Sequence, residues 1–176
     1  MKNKILFHMF LVLIFILVLF IQVFVISGNT LFGMKPNVLL ISVIVFTTFL
    51  GLYKGSIYSL ILGVFCDFLY GSSFGVFTIS YTLVAIIIGI ISNNYRTDSS
   101  KLALIIMTFI GTAIFEISQF IIYSFLNNGI YNIFHLILQI FLASILNIVI
   151  VFILNGIISK VAEHLEIKSK EREALY

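Results

Sequence analysis

Several runs of about 18 or more apolar residues, each with few charges, decide what this chain can fold into. The hydrocarbon core of a bilayer is about 30 Å thick and a helix rises about 1.5 Å per residue, so such runs read as membrane-spanning helices. Composition agrees: 61% of the 176 residues are hydrophobic and only 10% are charged, against about 25% charged residues in an ordinary soluble domain. A chain like this cannot cover a water-facing surface. The pattern predicts an all-α integral membrane protein, one transmembrane domain over residues 1–176. It should form a compact bundle of about six helices near 5–27, 36–53, 55–70, 74–92, 102–126 and 131–159, with a charged cytoplasmic tail over 160–176. The first run, Ile5 to about Ser27, exceeds a signal-peptide core and lacks a small-residue cleavage site, so it reads as a retained helix. Pro36 suits a first helical turn, and Lys54 with Gly55 suits a tight turn before a short third helix that ends in GSSFG.

Charge sets the expected orientation. Lys2, Lys4, Lys54, Arg96, Lys101, Lys160, Lys168, Lys170 and Arg172 fall on one side of a six-helix arrangement, and only Lys35 falls on the other. Basic residues are retained on the cytoplasmic side, so both termini are expected there. Five spans would disrupt this asymmetry. The net charge of +3 thus reflects topology. The 19 Phe and 8 Tyr are not accompanied by an exposed basic face, so nucleic acid is not an expected partner. The single Cys66 permits neither an intrachain disulfide nor a cysteine metal cluster.

Within the third run, Gly55, Ser59, Gly63, Asp67, Gly71 and Gly75 recur at every fourth position, so those inside the helix share one narrow face. In lipid, small residues at this spacing let two backbones approach closely, which makes the face a helix-packing seam. Asp67 is the exception within it. A carboxylate in a spanning segment costs about 2.5 to 3.5 kcal/mol, so it should face protein, a wet cavity or, from the last turn, interfacial water.

The segments KPNVLLISVIVF and GSIYSLILGVFCDFLYGSSFGVFTISYTLVAIIIG resemble the signature region of the rod shape-determining protein MreD family. That family shows Pro-Asn at the opening of its second helix and later G-x-x-x-D-x-x-x-G-x-x-x-G. Here these positions are Pro36, Asn37, Gly63, Asp67, Gly71 and Gly75, followed by Tyr81, over residues 35–90. The rest of the chain matches in hydropathy alone. The resemblance implies a non-enzymatic, multi-pass component of the rod (elongation) complex in the bacterial cytoplasmic membrane. It would have no cofactor, bind MreC, and act with MreB filaments, a SEDS-family glycosyltransferase, a class B penicillin-binding protein and membrane lipid to position lateral peptidoglycan synthesis.

A second polar set lies further on. Thr112, Glu116, Gln119 and Tyr123 share a face of the fifth helix, and His135, Gln139, Ala143 and Asn147 form a line on the sixth. Counted from the expected helix ends, Gln22, Asp67, Glu116, Gln119, His135 and Gln139 reach similar depths in the outer half of the membrane. They are therefore expected to form either one polar cluster opening outward or a set of interhelical hydrogen bonds worth about 0.6 kcal/mol each.

Enzymatic motifs are not convincing here. GSSFG fits the nucleophile-elbow spelling, but that motif needs a strand-to-helix turn. His135 reads as a packing or hydrogen-bonding residue. A rival function is the substrate-binding subunit of an energy-coupling-factor vitamin transporter, also a compact six-helix membrane protein. Such subunits dock through a small-residue patch on the first helix, and Ile5 to Ile26 contains no Ala or Gly.

Overall fold

The computed structural model describes residues 20, 22, 36–70, 73–94, 101–127 and 132–152. Within them the protein is all-helical: α1 is Val38–Leu50, α2 Leu52–Tyr70, α3 Val76–Asn94, α4 Lys101–Asn127 and α5 Ile133–Phe152. Helices α2 to α5 are long and apolar enough to cross a membrane, which makes this a multi-pass membrane protein. The helix expected over 5–27, apart from Phe20 and Gln22, lies outside the described residues, as do Gly71, the end of the sixth expected helix and the charged tail.

Helix α1 starts where its sequence allows. Pro36 has no N–H to leave unpaired, and the Asn37 side chain accepts from the Leu40 N–H at 2.9 Å, capping the first turn. Thirteen residues give α1 a length of only about 20 Å. It is nonetheless buried on nearly every side, from Val38 through Thr47. Leu39, Leu40, Val43 and Ile44 pack with Leu62 and Cys66 of α2, Tyr81, Val84 and Ile88 of α3, and Met107 and Phe115 of α4. A second cluster joins Ile41 to Leu104 of α4 and Val151 of α5. The short helix is the axis around which the longer ones stand.

One boundary corrects the sequence reading. The break between the first two described helices falls at Gly51, not at Lys54 and Gly55, because Gly51 takes φ 81, a conformation bulky residues rarely adopt. Lys54 and Gly55 consequently sit inside α2, which has 19 residues and is not short. At its other end, Gly75 (φ 101) makes the turn into α3.

Polarity is distributed as lipid requires. Phe65, Phe68, Phe125 and Phe134 face outward, while Ser59, Thr108, Thr112, Ser118 and Asn147 are buried. Most buried hydroxyls return a bond to their own helix, as Thr108 does to the Leu104 carbonyl at 2.7 Å and Thr112 to that of Thr108 at 2.8 Å.

Candidate functional site

The antiparallel pair α2–α3 meets along the small-residue face. Gly55, Ser59, Gly63 and Asp67 are all buried. A Cβ added at Gly63 would lie 2.5 Å from the Thr78 Cα and 3.0 Å from the Phe77 carbonyl oxygen, so the α3 backbone rests directly on this glycine. At Gly55 the same atom would meet the Thr47 Cα of α1 at 2.6 Å. The seam therefore joins α2 to α3 at one end and to α1 at the other.

Asp67 completes it. Its carboxylate accepts from the Phe77 N–H at 2.8 Å, from the Thr78 N–H at 3.0 Å and from the Thr78 hydroxyl. These are first-turn donors of α3, which no carbonyl of that helix can reach, and the positive end of the helix dipole adds to the attraction. An apolar helix thus carries a carboxyl group at 3% exposure because the next helix starts beside it. Asp67 works as a cap supplied from a neighbouring helix, satisfied on the spot.

A different arrangement occupies the same end of the bundle on the α4–α5 side. Glu116 accepts from the Gln139 amide at 2.8 Å, and one level deeper Asn147 donates to the Thr112 hydroxyl at 3.1 Å. The two polar lines on α4 and α5 face each other in antiparallel register. Asn147 also accepts from the Asn37 N–H at 2.9 Å, and Tyr81 donates to the Asn37 side chain at 3.2 Å, tying the α1 cap to α3 and α5. Gln22 accepts from the Val38 N–H at 2.9 Å and donates to the Pro36 carbonyl at 3.3 Å.

Between these groups lies a partly open cavity of about 290 Å³, walled by Gln22, Asn37, Glu116, Gln119 and Gln139 on the polar side and by Leu39, Cys66, Tyr70, Phe77, Tyr81 and Phe115 on the other. Tyr81 and Phe115 stack with ring centroids 5.0 Å apart. The Gln119 amide nitrogen is buried and has no hydrogen-bond partner among the described residues.

Of the six residues expected at one depth, Gln22, Glu116, Gln119 and Gln139 line this cavity; Asp67 and His135 do not. Equal depth does not fix azimuth. Asp67 is turned to the start of α3, and His135, in the first turn of α5, is exposed. Asn37 and Tyr81, singled out only through the family motif, stand on the cavity wall, and Pro36 is buried beside it. Thr78 escaped notice, because nothing in its spacing relates it to Asp67 across the turn.

The family model for rod shape-determining protein MreD matches residues 2–161. Comparison with curated proteins and with solved structures gives no match.

Proposed function

This chain belongs to the rod shape-determining MreD family, and from that premise we propose that it is a non-enzymatic component of the rod complex. In this reading it sits in the bacterial cytoplasmic membrane with six spans and both termini inside, binds MreC, and works with MreB filaments, a SEDS-family glycosyltransferase and a class B penicillin-binding protein. Its task is to help position lateral peptidoglycan synthesis. The observation that carries the reading is the family match over nearly the whole chain. Support comes from what three motif residues do here: Asn37 caps α1, Gly63 admits the α3 backbone and Asp67 caps α3, contacts that suit a scaffold. A scaffold of this kind offers surfaces to partners.

The vitamin-transporter alternative gains nothing from the family match. The direct test is capture of MreC by the tagged full-length chain from solubilised membranes. Enrichment of MreC well above that given by an unrelated multi-pass protein is expected; equal recovery would contradict the proposal. The orientation is tested separately by thiol labelling of intact cells. A cysteine introduced at Asn128 should react and one at Asp98 should not, following the basic-residue asymmetry.

A further inference from the structure

The carboxyl group beside the α4–α5 cavity differs from Asp67 of the α2–α3 seam in how it is partnered. Among the described residues Glu116 accepts one hydrogen bond, from the neutral Gln139 amide, whereas Asp67 collects three. The described residues lining the cavity include no Lys, Arg or His. A carboxylate within a spanning helix normally pairs with a cation or marks a ligand path, because one neutral donor does not offset its lost hydration. Three residues further along α4, Gln119 lines the same cavity, and its buried amide nitrogen has no acceptor among the described residues. The facing wall is aromatic, with Tyr81 stacked on Phe115, and ring faces attract cations.

These features define a complement. We propose that the cavity binds a protonated amine that carries an oxygen acceptor close by, the ammonium seated between Glu116 and the Tyr81–Phe115 wall and the acceptor on Gln119. A site whose described lining holds one carboxylate and no basic side chain disfavours an isolated phosphate or carboxylate, so an anionic headgroup without an amine is the wrong ligand. The amine can arrive as the headgroup of an aminophospholipid, whose phosphodiester oxygens lie next to the ammonium, or as a small free amine. A cavity of about 290 Å³ holds such a headgroup and leaves the acyl chains in the bilayer. This inference goes beyond assembly of the rod complex and stands or falls independently of MreC binding.

The test uses the purified full-length chain in detergent and native mass spectrometry, with phosphatidylethanolamine and phosphatidylglycerol of identical acyl chains as probes. The wild type should retain phosphatidylethanolamine about tenfold better, the scale of a charge-assisted contact. Glu116→Gln should bring the two lipids level. Gln119→Leu removes a donor that has no partner, so it should fold at least as well as wild type and still lose phosphatidylethanolamine severalfold. Free ethanolamine separates the sources: displacement of the lipid at millimolar concentration identifies a soluble amine as sufficient, and no displacement identifies the lipid headgroup. Equal retention of both lipids by the wild type, without ethanolamine binding, overturns the proposal. So does a lipid preference that survives Gln119→Leu unchanged, a result that decides the matter even if Glu116→Gln fails to fold.

Discussion

The α2–α3 seam and the α4–α5 interface use similar residues to opposite ends. Each places a carboxylate on an otherwise apolar helix near the same end of the bundle. On the seam side, glycines remove all free space and the next helix delivers three donors to Asp67. On the α4–α5 side, the helices are joined by side-chain hydrogen bonds from Gln139 to Glu116 and from Asn147 to Thr112, and a cavity remains whose Gln119 amide nitrogen has no partner among the described residues. The difference teaches that an intramembrane charge is not a functional signal by itself. What matters is whether the fold completes its coordination or leaves it open.

The comparison is broken most forcefully at Gly63. Gly63→Leu drives a branched side chain into the α3 backbone, which cannot retreat without opening the pair. A loss of about 3 kcal/mol or more is expected, read as collapse of the chain's level in membranes and of its melting temperature in detergent. Wild-type levels would show that the helices do not need their close approach.

Asp67→Ala comes next. It strips the first turn of α3 of its acceptor where lipid offers no replacement, and should lower stability by about 2 to 4 kcal/mol. Asp67→Asn keeps one acceptor oxygen and should recover part of that loss. If both variants melt with the wild type, the cap is dispensable and the seam reading fails at that point.

A smaller effect belongs to the deeper α4–α5 pair. Asn147→Leu removes the bonds to Thr112 and Asn37, and polar contacts between membrane helices are worth about 0.6 kcal/mol on average and about 1.7 at most. Its melting temperature should fall by a few degrees, a good deal less than that of Asp67→Ala. The smallest change is expected at His135, which is exposed and outside the cavity. His135→Ala should leave both stability and lipid retention within error, and a marked loss of either would reinstate it in the polar cluster.

Much of the scaffold was legible before any coordinates. Apolar run length located α1 to α5 apart from the break at Gly51, the Pro36–Asn37 pair announced the start of α1, and the fourfold spacing through Gly55, Ser59, Gly63 and Asp67 traced the face that α2 buries. The polar lines on α4 and α5 were legible from their spacing, but not that they face each other. Three further things were not legible. Gly51 lies between apolar neighbours and reads as helix interior; only its positive φ reveals the break. The partners of Asp67 include two backbone N–H groups on another helix, which residue identity does not disclose. The cavity depends on how α1, α3, α4 and α5 are placed around Tyr81 and Phe115, and hydropathy carries depth without direction.

The central claim is that the seam maintains the fold while the cavity is kept for binding. Its most direct test is cell width, normalised to the amount of chain in the membrane, in rod-shaped cells whose only copy is the wild type, Gly63→Leu or Glu116→Gln. The account predicts that Gly63→Leu loses shape because the protein is lost. Glu116→Gln should accumulate at wild-type level or above, since a costly charge is gone, and the cells should still widen. Normal rods sustained by Glu116→Gln at wild-type levels would contradict the account and leave the cavity as a packing detail.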